Sequence, residues 1–472
     1  MSTIVVKLGS SSIVSESREP RIANISLLVS TLVNLRRQGH RVVLVSSGAI
    51  AMGLNETSLE RKPKKLAAKQ ALAALGQGKL ISLWDNLFKY YNQKTAQILL
   101  TRNDISEYSH FRNAENTLQE LLSMDVIPIV NENDTISTQE IKFGDNDQLS
   151  AITAGMVNAD YLFLLTDVDC LYTDNPKTNP DARKVLVVRD MNDLHVNTKS
   201  GAGSAVGTGG METKILAADL ATNAGITTII CHSNHPEQIE KMINHEPTNE
   251  PDYERANIEE ESRLKEMEIP LHTRFIGHSK SHIKDRKFWL LHGLKPKGSL
   301  IVDYGCFQAI TRVNRAGLLP VGIIGVEGHF NQLECVELRL GFKGVGRSVC
   351  FGRGRCNYNS SEIEKIKGVQ SSRVGELLGY WDSEYVVHRD NMAVKLDNEL
   401  EDIGGCCDKD LTFLKVCGRL GSCGGPISKE RKTFKRRFSK GGTPSLDVSL
   451  AYGHSRKSGE VKPLEKDGLS RG

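Results

Sequence analysis

The sequence predicts an α/β fold, a three-layer arrangement with a mainly parallel central sheet covered by helices on both faces, plus a smaller β-rich domain. Three observations carry this expectation. From Thr3 to about His232, continuous apolar runs rich in β-branched residues alternate with helix-length stretches, and such runs suit strands buried on both faces. From Arg286 to about Val394 the pattern changes to short runs separated by Gly, Pro and Asp, as in a strand-rich unit. The length, 472 residues, predicts two or three domains with ample core.

In chain order the strand candidates are IVVKLG, RVVLVSSG, QILLTR, VIPIVNEN, DYLFLLTD and TTIICHS. Helical stretches lie between several of them: Ile25 to Gly39, KKLAAKQALAALGQGKLISLWDNLFKYY, and Thr213 to Gly225. The first and last end on a glycine, as helices often do. Residues 1–235 therefore read as one domain. Residues 236–285 are polar and Glu-rich and read as a linker with room for a helix, and residues 286–394 read as the second domain, through WLLHG, GSLIVDYG, GLLPVGIIGV and GRGRCNYNSSEIEKIKG. Residues 395–472 lose hydrophobic periodicity and predict a disordered or aberrant tail. Cys406, Cys407, Cys417 and Cys423 lie there, but without a CxxC pair they do not argue for a metal site, and no metal ligand is assigned.

Composition narrows the setting. Lys plus Arg is 61 against Asp plus Glu 57, and a net charge of +4 does not by itself argue for a nucleic-acid partner. The 10 cysteines form no CxxC pair and MSTIVVKLG begins with a strand, so a reducing, cytoplasmic location is expected. No apolar run approaches the ~18–20 residues that span a bilayer, so no membrane association is expected.

The chemistry concentrates in Asn131 to Asp147, NENDTISTQEIKFGDND, which follows the strand-like MDVIPIV. In open α/β sheets ligands bind at that end of the strands. Asn131, Asn133 and Asn146 can donate and accept hydrogen bonds, while Asp134, Asp145 and Asp147 can hold an ammonium group or orient a lysine. The set suits an amino acid, although NEND or GDND alone reads as a turn-rich loop. Lys7 ends the first strand and Gly9 to Ser12 read as a loop able to hold an anion. Ser46 to Gly48 end the second strand and open a helix, another cradle for an anion. Thr166 and Asp167 end LFLLTD, and GTGGMETK (Gly207 to Lys214) is a glycine loop running into a helix. Two lysines at such loops suit a transferring phosphoryl group. GxxxxGK[ST] and GxGxxG are absent, and HRDN (His388 to Asn391) lacks the downstream DFG of a protein kinase.

Taken together and in order, VVKLGSSS, VSSGAIAMG, KQALAALGQGKL, LLTRND, NENDT, KFGDNDQLSA, LLTDVDCLYTDNP and GTGGMETK resemble the glutamate 5-kinases, the γ-glutamyl kinases of the amino acid kinase family, from residue 3 to about 235. Residues 286–394 are similar to the PUA domain that many of these enzymes carry, through KPKGSLIVDYG, GLLPVGI, GRGRCNYNSSEIEKIKG and LGY. The resemblance implies the amino acid kinase fold and transfer of the ATP γ-phosphoryl group to the side-chain carboxylate of L-glutamate, the first step of proline biosynthesis. It also implies Mg²⁺ carried with ATP, feedback inhibition by proline in or next to the glutamate pocket, and a homo-oligomer.

Carried over motif by motif, the resemblance implies that Lys7 and Lys214 contact phosphates while Asp147 positions them. Ser47, Asp134 and Asn146 would hold glutamate, and Lys7, Thr166, Asp167, Thr208, Gly209, Gly210, Met211, Glu212, Thr213 and Lys214 would line the nucleotide site. A carboxylate acceptor with a pKa near ~4.3 is already ionised at neutral pH and needs no general base. Histidine is accordingly missing from every first-domain motif. Two stretches depart from the pattern: GFKGVGRSVC (Gly341 to Cys350) is poorer in turn and acidic residues than the resemblance leads one to expect of the second domain, and nothing after Val394 matches. Two alternatives stay open: a related kinase acting on aspartate or acetylglutamate, against which NENDT and KFGDND together favour free glutamate, and an RNA-binding protein, since PUA domains elsewhere bind RNA.

Overall fold

The computed structural model describes residues 1–394 apart from 16, 18, 58, 60–61, 138–145, 177, 195, 197–209, 278–284, 313–315 and 343–344, so the expected tail from Lys395 lies outside the described residues. Each apolar run of the first domain forms a strand: β1 (Thr3–Leu8), β2 (Arg41–Ser46), β3 (Thr95–Leu100), β4 (Ile127–Glu132), β5 (Tyr161–Thr166) and, after the short β6 (Val187–Val188), β7 (Thr227–His232). With β8 (His272–Phe275) they make an eight-stranded sheet in the order β3-β4-β2-β1-β5-β7-β8-β6. Every pairing in it is parallel except β7 with β8.

Side chains alternate across the central strands, so β1, β2, β4, β5 and β7 feed two cores. Val5, Val43 and Val45 pack on one side with α4 (Arg102–Ser106), α5 (Tyr108–Ser123), α6 (Asn146–Met156) and α7 (Met211–Asn223). Ile4, Val6, Val42 and Leu44 face the other side, covered by α1 (Ile22–Arg37), α2 (Ala49–Asn55) and α3 (Leu66–Lys89). The helix α1 buries Ile25, Leu28, Val29, Leu32, Val33 and Leu35, and it is left through Gly39 at φ +92°, the left-handed conformation that glycine adopts without a steric penalty. LLTRND starts α4 through a capping box, in which Thr101 and Asp104 exchange side-chain and backbone hydrogen bonds.

Gly53 of GAIAMG and Gly76 of ALGQG have a packing reason. A Cβ on Gly76 would lie 1.8 Å from the Ala49 carbonyl oxygen, and one on Gly53 would lie 2.0 Å from that of Leu72. The backbones of α2 and α3 therefore touch, which fixes α2 immediately after the turn at Ser47.

Residues 236–285 differ from the polar linker that their composition suggests. Helix α8 (Tyr253–Glu266) turns Ala256, Glu260 and Leu264 inward, and β8 joins the large sheet. The Glu-rich text covers the solvent face of an amphipathic helix, and its inward glutamate is paired: Glu260 Oε1 lies 2.5 Å from His245 Nε2 and Oε2 accepts from the Thr248 N–H at 2.8 Å.

The next segment, Asp285 to Gly293, also belongs with the first domain rather than the second. Phe288, Trp289, Leu290 and Leu291 lie in its core, the Trp289 indole N–H donates to the Ile105 carbonyl at 2.8 Å, and a Cβ on Gly155 would meet the Phe288 ring at 2.0 Å.

The second sheet contains β9 (Gly298–Val302), β10 (Ile323–Gly328), β11 (Cys335–Phe342), β12 (Val345–Arg355) and β13 (Met392–Val394), in the order β10-β9-β11-β12-β13. It has its own core, including Leu300, Phe307, Leu338, Phe351 and Tyr358. Of the departing stretch from Gly341 to Cys350, the described residues 341–342 and 345–350 belong to the antiparallel β11–β12 pair. The Arg353 guanidinium donates to the Leu291 carbonyl and, at 3.2 Å, to that of Leu294. Burial first and the Arg353 charge second hold the Arg102 guanidinium below its usual range, with Glu132 opposing.

Two expectations follow from packing and burial. Gly76→Ala should destabilise the protein by about 1–3 kcal/mol in a urea titration, the usual cost of forcing bulk into a filled contact, and an unchanged midpoint would contradict the helix contact. His272 is buried with its Nδ1 2.9 Å from the Pro270 carbonyl; burial pushes its pKa down to about 3, against the opposing effect of that bond. The unfolded chain therefore binds a proton that the folded one refuses, so stability should fall as pH drops from about 6.5 towards 3, by at most about 1.4 kcal/mol per pH unit. Urea midpoints for wild type and His272→Gln across that window test this: the variant should show the shallower slope, and parallel slopes would contradict it.

Candidate active site

The site is built where the carboxyl end of the sheet meets the start of α6. Strand β1 runs between β2 and β5, with Lys7 opposite Val45 and Leu164, so the lysine near its end is enclosed and only 3% exposed. Asn146 and Asp147 open α6, where the positive end of the helix dipole favours a carboxylate. Asp147 is 0% exposed, and burying a carboxylate without partners would be prohibitive. Its partners come from two directions. Lys7 pairs with Oδ1, Lys214 Nζ lies 3.2 Å from Oδ2, and the Thr213 hydroxyl lies 3.0 Å from the same oxygen. Lys214 and Thr213 stand in the first turn of α7, which Gly210 caps, and Lys214 is buried as well. Two ammonium groups around one carboxylate leave a net positive charge, the arrangement needed to receive a polyanion such as a phosphate chain.

A second group adjoins the first through Asn146. Its side-chain amino group donates to Ser47 Oγ at 2.9 Å and to Asn131 Oδ1 at 2.8 Å. Ser47 ends the turn after β2, and Gly48 follows at φ +110°, a conformation that favours glycine and lets α2 start at once. Beneath the turn, the Trp84 indole donates to Ser46 Oγ at 2.9 Å.

Asn133 and Asp134 leave β4, with their N–H groups bonded to the Leu100 and Glu132 carbonyls at 2.9 Å each, and Asp134 is half-buried. At the end of β5 the Thr166 hydroxyl donates to Asp167 Oδ1 at 3.1 Å; Thr166 is buried and Asp167 exposed. Met211 and Glu212 open α7 beside Gly210. Thr208 and Gly209 lie outside the described residues, as does Asp145. The residues from Gly9 onwards form a helical turn, Ser10–Ile13, rather than an open loop.

The structure thus gathers Lys7, Asp147, Thr213 and Lys214 into one cluster and Ser47 with Asn146 into the next, joined at the first two residues of α6. It pairs Thr166 with Asp167 on a neighbouring strand. Sequence reading gives no role to Gln77, whose Oε1 accepts from Asn131 Nδ2 at 2.8 Å; the available signal is a polar residue set between two glycines, Gly76 and Gly78.

Comparison with known proteins bears on the family of the chain. The Amino acid kinase family matches residues 2–232 and the PUA domain matches residues 298–378. A probable glutamate 5-kinase of Schizosaccharomyces pombe is 54% identical over 393 residues, 83% of this chain and 93% of that protein. An uncharacterized protein of Saccharomyces cerevisiae is 49% identical over 83% of this chain and 98% of its own. The glutamate 5-kinase of Rippkaea orientalis is 43% identical over 83% of this chain and 99% of its own. On this likeness across nearly the whole described chain, it belongs to the glutamate 5-kinase family, an amino acid kinase domain followed by a PUA domain.

Proposed function

We propose that the chain transfers the γ-phosphoryl group of ATP to the side-chain carboxylate of L-glutamate, forming L-glutamyl 5-phosphate for proline biosynthesis. The observation that carries this reading is the buried Asp147 carboxylate holding Lys7 and Lys214 beside Ser47 and Asn146. The nucleophile arrives ionised, so the protein's task is to place it in line and to neutralise charge on the moving group.

Lys7 and Lys214 supply that neutralisation from fixed positions, since Asp147 holds both ammonium groups before the phosphates enter. Ser47, Asn146 and Asp134 take the amino acid, and Lys7, Thr166, Asp167 and residues 208–214 take the nucleotide. Mg²⁺ would enter with ATP and add to the charge neutralisation; with Asp147 committed to two lysines, the ion would be held by phosphate oxygens and water. Proline is the expected inhibitor, acting at or beside the glutamate group.

The decisive assay is ATP-dependent formation of γ-glutamyl hydroxamate from L-glutamate and hydroxylamine, with aspartate and N-acetylglutamate in parallel and with proline added. Product from glutamate alone supports the reading, and no product from folded protein removes it. Lys214→Met should lower kcat by about 10²–10³-fold, the usual loss on removing one preorganised stabiliser of developing charge, with circular dichroism unchanged. Asp134→Ala should raise KM for glutamate by about tenfold or more, the cost of a lost charge-assisted bond, and leave KM for ATP nearly as it was. Equal rises in both constants would take Asp134 out of the glutamate group.

A further inference from the structure

The polarity of a chain of side-chain amides can be read here from one backbone group. The Glu132 N–H can only donate, and it lies 2.9 Å from one arm of the Asn131 amide, which identifies that arm as the carbonyl oxygen. The other arm is then the amino group, and the Gln77 atom facing it at 2.8 Å has to be the acceptor Oε1. Gln77 turns its own amino group to Gln97 Oε1 at 3.0 Å.

In the other direction the same Asn131 oxygen lies 2.8 Å from Asn146, so the atom opposite is the Asn146 amino group. Its two hydrogens are taken by Asn131 and by Ser47 Oγ, with the Ser46 carbonyl also 3.5 Å away. Asn146 thus has a carbonyl oxygen to offer a ligand, and Ser47, which accepts from Asn146, keeps its hydroxyl proton to donate. An acceptor beside a donor matches the ammonium and carboxylate of an amino acid.

We propose that Gln77 is a positioning residue that sets recognition of the substrate's α-ammonium group, acting through Asn131 on the orientation of the Asn146 amide. This rests on the glutamate kinase reading. Gln77 is half-buried on α3 and reaches the site only through Asn131, which is 2% exposed. Without an acceptor at position 77 the Asn131 amino group has no partner in a buried place, a costly state. Asn131 then rotates to find one, withdraws its oxygen from Asn146, and frees that amide to turn its amino group towards the ligand.

The test compares wild type, Gln77→Leu and Gln77→Glu. It measures KM for L-glutamate, KM for ATP, and Ki for glutarate, a competitor of the same length without the ammonium group. Gln77→Leu should raise the glutamate KM by about tenfold, close to the low end for one amide–ammonium bond, while the ATP KM and the glutarate Ki move less than about twofold. Gln77→Glu should stay within about threefold of wild type, because its carboxylate still accepts from Asn131 and the exposed Gln97 can turn its amide to suit. A merely structural role would move the glutamate KM and the glutarate Ki together, and that result overturns the proposal, as does an unchanged glutamate KM in Gln77→Leu. Should the leucine variant lower the yield of folded protein, Gln77→Met carries the same expectation. Absence of acyl phosphate from wild type with glutamate would remove the underlying reading and this proposal with it.

Discussion

One carboxylate holds the first domain's chemistry together. Asp147 has no exposed surface, and its burial is tolerable because ammonium groups from β1 and α7 meet it at the start of α6. That contact ties the end of a central strand to the beginnings of two helices. It explains why a lysine sits inside an otherwise apolar strand and why a second one lies buried in the first turn of a helix. A lysine left alone in either place would sacrifice its hydration without return. The three groups carry an excess of one positive charge, so the cluster is stable by itself yet still attracts an anion.

Around this pairing, the second requirement is closeness. Ser47 is presented by a turn that has no room to drift, because Gly48 takes up a left-handed conformation and Gly53 and Gly76 let α2 and α3 meet backbone to backbone. The amide of Asn146 then finds Ser47 and Asn131 at hydrogen-bond distance. Small residues thus set the position of polar ones, and the amide hydrogen bonds form between groups that apolar backbone contacts hold in place.

Much of this was legible in the sequence, for identifiable reasons. Strands such as VVKLG and LFLLTD are buried on both faces, so their uninterrupted hydrophobicity announces them, and residues at their ends are placed by the fold class itself. Lys7, Ser47, Asn146, Asp147 and Lys214 could be named because they stand at strand ends or helix starts. Two features were hidden. The 236–285 stretch reads as linker because α8 buries few side chains and one of them is Glu260, a residue whose burial depends on His245 and the Thr248 backbone, contacts distant enough in sequence to leave no periodic trace. Gln77 was hidden because its meaning lies in a partner 54 residues away.

The segment from Asp285 to Gly293 carries a consequence for how the chain comes to be folded. Phe288, Trp289 and their neighbours belong to the core of the first domain, although they follow its last strand and lead directly into the next unit. During synthesis the ribosome has to release residues at least as far as Leu291 before that core can close. Until then the Gly155 face and the Ile105 carbonyl wait uncovered, and a nascent chain halted near residue 285 would present an apolar recess to chaperones instead of a finished enzyme.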